Sequence, residues 1–500
     1  MARKRSAGET LTRFSVLFVA FTIALTAVAQ QQLPPSGETI DVSLVNVDVF
    51  VTDRNGQRVT GLTADDFEIL ENGRPQPITN FAEYTKQPTT AANTPPNAKR
   101  TVVVFVERFS LPSFRTKPLF ASIRNTLRTV IRPGDSAAVI FWDNGGVYTL
   151  QYFTDDIDSL EAAVTEIERQ SNGVAGHAQL IRRREGFARF HLGEKVDELK
   201  ALMRSISDDD GRKILIFATT DFGLRPSTIT DFPQAVARTA NEHGITIYPI
   251  YPLGLEWTPS TAARGRPIVN HAYDQQVLVN QTSALDELAK ETGGLTAAGS
   301  TEIVSLLPRI IEDFNSYYSI AYRTPATGTT RARDISVRTK NREYTVRSRR
   351  EYVEKTDVTR MQDRVIANLY RDASRGTIPL HVEFGKVDKV GRSKWAVPLR
   401  INLPVNSLST GPDGHGAISI FVATGGVIGI MSDVHRSTQP FSVDDMSPGQ
   451  QHVTYEVTLT FNESTSVVSV GVMDAGSKDF GVKTVDLPAF RADERRLGGE

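Results

Sequence analysis

Cysteine is absent from all 500 residues. No disulfide can form, so the folded chain is held by its hydrophobic cores alone, and no cysteine exists to carry a lipid anchor. Neither sign of charge is in excess: Lys and Arg number 57 against 58 for Asp and Glu, a formal net charge of −1. That balance gives no support for nucleic-acid binding. After residue 29 no run is long and apolar enough to span a membrane as a helix. The sequence also lacks a Gly-x-Ser-x-Gly elbow, a His-Glu-x-x-His phrase, a phosphate loop and a Rossmann glycine phrase. Its eight histidines, among them His177, His243 and His452, are scattered without metal-ligand spacing, and each reads as solvent-facing or structural.

What is present begins with an address. Arg3, Lys4, Arg5 and Arg13 precede the apolar run FSVLFVAFTIALTAVA (14–29), which ends on the small residues Ala27-Val28-Ala29. This pattern predicts a signal peptide over 1–29, cleaved before Gln30, and an exported protein in the periplasm or outside the cell. A retained anchor is the alternative, but the run falls short of the roughly 20 residues that a spanning helix needs. Cleavage moves the net charge to −4.

The remainder divides by pattern. Residues 30–86 predict a small β module, with an alternating strand at 42–53 and two more strands about an Asn-Gly turn at 72–73. Residues 87–99 (QPTTAANTPPNAK) read as a linker. From 100 to 352 strands alternate with amphipathic segments, which predicts a mostly parallel sheet with helices on both faces. Its strands are placed at 101–107, 136–142, 146–152, 213–219, 245–251, 294–298 and 316–323, with a hairpin appended over 326–352. A linker helix (353–376), a β-sandwich (377–490) and a charged, Gly-rich tail (491–500) complete the expected order. The fold class is thus α/β, flanked by a β module and a β-sandwich.

The stretch VVVFVERFS (102–110) carries the site question. Five apolar positions precede Glu107, which then stands just past the carboxyl end of a central parallel strand, where open α/β sheets place ligands. Arg108, Phe109, Ser110, Leu111 and Phe114 follow it. Asp221, in RKILIFATTDFG, stands after the fourth strand in the same way. Glu107 is expected to face solvent beside Arg108 or another loop cation, where a pairing would contribute little. The runs Asp208–Asp210 and Arg182–Arg184 read as a helix-ending turn and a solvated loop. The long connection 253–280 holds Trp257, Arg264, Arg266 and Tyr273, residue types enriched in binding hot spots, and reads equally as a loop packed on the sheet edge.

In order along the chain, DRNGQRVTGLTADDFEILENGRPQPITNF, the α/β segment, LAKETGGLTAAGSTEIVSLLPRIIEDFNSYYSIAYRT and YTVRSRREY resemble the exported von Willebrand factor type A-related proteins of Acidobacteria. The resemblance covers about residues 40–352. It implies a type A-like domain and recognition of a protein or cell-envelope partner without enzymatic activity. Such domains often hold a divalent ion through Asp-x-Ser-x-Ser, a threonine and a later aspartate. Here Glu107, Phe109 and Leu111 align with the first phrase, no threonine lies between Ser171 and Gly211, and only Asp221 matches. The expectation is a degenerate site without a cofactor. If Mg²⁺ binds, Glu107 and Asp221 would hold it, helped by Ser110, Thr219 or Thr220. The binding residues are then Glu107, Arg108, Phe109, Ser110, Leu111, Phe114 and Asp221. A metal-dependent adhesion domain, an envelope scaffold and a hydrolase using Glu107 and Asp221 as a carboxylate pair are the alternatives.

Overall fold

A computed structural model describes residues 42–85, 100–107, 113–143, 146–172, 187–207, 211–219, 232–251, 271–296, 303–369, 374–392, 394–426, 432–447, 449–462 and 465–487. The predicted signal peptide, linker and tail lie outside these residues.

The first four strands among the described residues, β1 (Val42–Thr52), β2 (Phe67–Glu71), β3 (Arg74–Gln76) and β4 (Ile78–Tyr84), do not form a module by themselves. They are completed from far down the sequence by β10 (Tyr317–Pro325), β11 (Arg331–Thr339), β12 (Thr345–Arg347) and β13 (Glu351–Glu354). One sheet runs β12-β1-β10-β4 and the other β13-β11-β2-β3. Between them Val45, Val47, Val49, Ile69, Tyr318, Ile320 and Ile335 form a core. The Asn72-Gly73 turn between β2 and β3 has positive φ at both residues, as a tight hairpin requires.

This corrects two expectations. The strand placed at 316–323 in the parallel sheet pairs antiparallel with β1 and β4. The hairpin at 326–352 is no appendage, since β11 pairs with β2 and β12 with β1. The difference is visible in burial: β10 leaves Ser319 half-buried and Arg323 and Pro325 exposed, whereas β5, β8 and β9 are buried along their length.

The α/β domain therefore sits between β4 and β10. Its sheet contains β5 (Arg100–Glu107), β6 (Ser136–Asp143), β7 (Gly146–Thr154), β8 (Arg212–Ala218) and β9 (Ile245–Ile250), in the order β7-β6-β5-β8-β9. All pairings are parallel except that of the edge strand β7. Apolar residues with few polar interruptions make β5, β8 and β9 fit only a sheet covered on both sides. Successive side chains of β5 feed opposite cores. Val102, Val104 and Val106 pack with α1 (Ser113–Val130), α2 (Ile157–Asn172) and α6 (Ile303–Asn315). Val103 and Phe105 pack with α3 (Phe187–Ser205), α4 (Phe232–His243) and α5 (His271–Thr292). Residues 294–296, expected to open a strand, form none, and 297–298 lie outside the described residues.

The chain leaves the first sandwich after Tyr84 and returns at Tyr317. These two residues are cross-strand partners, and their rings stack with centroids 4.7 Å apart.

Beyond β13, α7 (Asp357–Asn368) is capped by the Thr356 hydroxyl, which accepts from Thr359 N–H. The last domain is a sandwich of β14 (Arg375–Gly376), β22 (Phe480–Asp486), β21 (Thr465–Asp474), β18 (His415–Gly426) and β19 (His435–Ser442) against β15 (His381–Phe384), β16 (Asp388–Gly391), β17 (Lys394–Pro404) and β20 (His452–Asn462). Met361 and Val365 of α7 cover its first sheet beside Phe421 and Val482. They fit because position 471 is glycine: a Cβ there would lie 2.4 Å from both side chains. The helix also packs against α3 of the α/β domain.

Candidate functional site

The two ends of the parallel sheet differ in kind. At its amino edge the strands begin on cations, Arg100 in β5 and Arg212-Lys213 in β8, and the outer face of the β1 sheet docks there. Asp313 of α6 is fully buried. It accepts two hydrogen bonds of 2.8 Å from Arg347 of β12, one of 3.1 Å from the Tyr248 hydroxyl, and one from Arg58 of the first sandwich. Arg212 donates to the Asp313 carbonyl (2.9 Å) and to Tyr248 (3.0 Å), and pairs with Asp48 of β1 at 3.1 Å. Phe50 of β1 lies under three guanidiniums, those of Arg58, Arg212 and Arg347, each about 5 Å from its ring centroid. Arg347 also donates to the carbonyls of Gly293 and Gly294, closing the carboxyl end of α5.

Burial works on each of these groups. It raises the pKa of Asp48 against the opposing pull of Arg212 and Arg349. It would discharge Arg212, but Tyr248, Asp48, Tyr317 and Asp313 outweigh it and hold the guanidinium above its ordinary value. The Tyr248 hydroxyl is pushed up, by burial first and then by Asp313. The amino edge is thus a sealed joint between domains.

At the carboxyl edge stands Glu107, the last residue of β5. The expected solvent-facing position is wrong, because Glu107 is 1% exposed. Its Oε2 accepts the hydroxyl proton of Thr219, the residue that follows β8, and Thr219 N–H donates to the Ile250 carbonyl at 3.1 Å. A carboxylate so buried is kept by hydrogen bonding. Beside it in register, Trp142, next to the last residue of β6, donates its indole N–H to Glu198 of α3 at 2.5 Å. These contacts tie the ends of β5, β6, β8 and β9 together and to one helix.

Of the other expected site residues, Arg108, Phe109, Ser110, Leu111 and Asp221 lie outside the described residues. Phe114 is in the first turn of α1. Glu107 and Thr219 are the two expected groups that the structure brings together. Among the described residues no three His, Asp, Glu or Cys side chains gather to hold a metal. The sequence reading missed the joint at the amino edge. Its signal was Asp313 on a helix face otherwise made of Leu307, Ile310 and Phe314, all buried. An acid on an apolar stripe calls for a buried partner.

No family model matches the chain, and no curated protein does. Among solved structures it is similar to an aerotolerance-related membrane protein from Bacteroides fragilis, with 11% identity, a TM-score of 0.27, and 43% of this chain and 98% of that one covered. It is also similar to the von Willebrand factor domain of the type V pilus tip protein Mfa5 from Porphyromonas gingivalis (11% identity, TM-score 0.25, 43% and 94% covered). An ArnB paralog from Sulfolobus acidocaldarius gives 11% identity and a TM-score of 0.26, with 66% and 80% covered. Likenesses this slight carry no argument, and the fold class rests on the sheet order and its two helical layers.

Proposed function

We propose that the chain is an exported binding protein, without catalytic activity, that engages a protein or cell-envelope partner through the carboxyl edge of its parallel sheet. The observation that carries this reading is the asymmetry of the sheet. Its amino edge is buried against the first sandwich through Asp313, Arg58, Arg212 and Arg347, and helices cover both faces. The carboxyl edge is where loops gather in such folds. The residues that follow β5 there, Arg108, Phe109, Ser110, Leu111 and Phe114, form an aromatic and basic set suited to anchoring a partner, and Asp221 follows β8. Glu107, in this reading, fixes the floor beneath those loops by holding Thr219.

No ion takes part. The positions that the resemblance assigns to metal ligands hold Phe109 and Leu111, and Glu107 already accepts the Thr219 proton. That donor set does not fit a cation that demands an octahedral shell of oxygens.

The test is capture of a partner from a native envelope fraction, followed by binding of that purified partner to variants. Phe109→Ala and Phe114→Ala are each expected to weaken binding by more than about 1 kcal/mol. Arg128→Ala, which removes a partner of Glu161 on a helix face, is expected to leave binding unchanged. Normal binding by both phenylalanine variants, with loss of capture when 377–488 is deleted, would move recognition to the last sandwich.

A further inference from the structure

Where the first sandwich hands the chain to α7, side chains from two domains and the connection between them converge. His243 ends α4 and is 4% exposed; Lys355 follows β13; Asp363 stands in the second turn of α7. Lys355 Nζ lies 2.5 Å from His243 Nδ1 and 2.6 Å from Asp363 Oδ2, and His243 Nδ1 is 3.6 Å from the same oxygen. The Lys355 and Asp363 side chains are 13% and 9% exposed. His243 Nε2 is buried without a hydrogen-bond partner among the described residues. An amine thus rests between a carboxyl group and an imidazole, largely away from water.

We propose that this cluster is a self-modification site at which Lys355 and Asp363 condense to an intramolecular isopeptide bond. One ammonium proton passes to the Asp363 carboxylate, leaving an amine and a carboxylic acid. The amine lone pair attacks Asp363 Cγ. As the C–N bond forms, the nitrogen sheds a second proton to His243 Nδ1, which delivers it to the departing hydroxyl, and the C–O bond breaks with release of water. The third hydrogen remains on the amide nitrogen. Ammonium and carboxylate become amide and water, His243 is regenerated, and no oxidant or co-reactant is needed.

The surroundings favour each step. Burial disfavours the charged pair. It raises the Asp363 carboxyl to about 6 in spite of Lys355, with Glu242 and Arg204 as further nearby charges. Burial, then Lys355, Arg204 and Lys213, keep His243 well below its usual value and so neutral, as a base must be. Holding the reacting groups in contact is worth an effective concentration of about 10⁵–10⁸ M in well-oriented cases. The product would clasp the end of β13 to the second turn of α7, the helix that contacts both the α/β domain and the last sandwich.

The experiment is intact-mass measurement and peptide mapping of the natively purified full chain, repeated through an incubation at neutral pH. The expected result is a mass short by one water, mapped to a branched peptide joining Lys355 and Asp363. Lys355→Arg is expected to keep the full mass. Asp363→Asn is expected to lose ammonia instead of water, and His243→Gln to slow formation by about a hundredfold while the chain stays folded. A folded wild-type chain whose residues 355 and 363 stay in linear peptides throughout would overturn the proposal. So would an equal mass loss in Lys355→Arg.

Discussion

At Asp313 one carboxylate serves guanidiniums from two separate parts of the first sandwich, and neither Arg58 nor Arg347 has another carboxylate bonded to it in the described residues. Asp313→Ala would leave both charges buried and is expected to destabilise the chain by about 3–5 kcal/mol, measured by denaturant unfolding. His243 and Asp363 titrate in opposite senses. The folded pKa of His243 is depressed, so its contribution is present above the unfolded value near 6.5 and is lost as pH falls below it. The folded pKa of Asp363 is raised to about 6, so its burial is a cost above that pH, relieved as pH falls towards 3.8. With both groups free, the two effects oppose each other between about pH 6 and 4. Once an amide has formed, Asp363 no longer titrates and the histidine acts alone. Melting points of wild type and Lys355→Arg across pH 4–8 are therefore expected to diverge on the acid side, with the wild type falling more steeply. The sequence announced a carboxylate at Glu107 but not its burial, because the hydroxyl that keeps it there belongs to Thr219, more than a hundred residues later. Asp313 was hidden in the same way, its partners lying in other elements.

Among the elements, the parallel strands were readable because a run such as VVVFV fits only a sheet covered on both sides. β10 was readable as a strand but not in its allegiance. Tyr317–Pro325 sets Ser319 and Arg323 between buried residues, polar breaks that suit the antiparallel sandwich it joins. Local sequence cannot name a partner strand that lies some 270 residues earlier. After α5 come Gly293 and Gly294, and how strictly glycine is required there was not legible. Gly293 has φ +79, and a Cβ on Gly294 would meet the Ile247 carbonyl oxygen at 1.9 Å. Gly294→Ala, a change usually mild near a helix end, is expected to cost well beyond the about 1 kcal/mol of an ordinary substitution, read as a lowered denaturant midpoint. Gly134→Ala, with open space around it, serves as the comparison and is expected to show only its backbone strain at φ +88.

For the whole molecule, the proposal that no ion takes part makes a thermal prediction. A bound ion would stabilise the native state by about 2.7 kcal/mol at a hundredfold excess over its dissociation constant. Melts in EDTA and in millimolar Mg²⁺ are instead expected to coincide. A shift that vanishes in Glu107→Ala or Asp221→Ala would show a working metal site. Domain order along the chain misleads here, because the strands of 42–84 have no second half until 317–354. The stacked pair Tyr84 and Tyr317 marks where the α/β domain is inserted into the sandwich. The two points where the α/β domain joins the sandwich are as close as the arms of a hairpin, which two residues suffice to connect. A domain attached in this manner can be gained or lost in a single recombination without shifting the register of any strand. A chain with 85–316 replaced by Asn-Gly, and Phe50, then uncovered, changed to Thr, is expected to fold as a monomer, and its failure to do so would mean that the sandwich depends on the inserted domain for its stability.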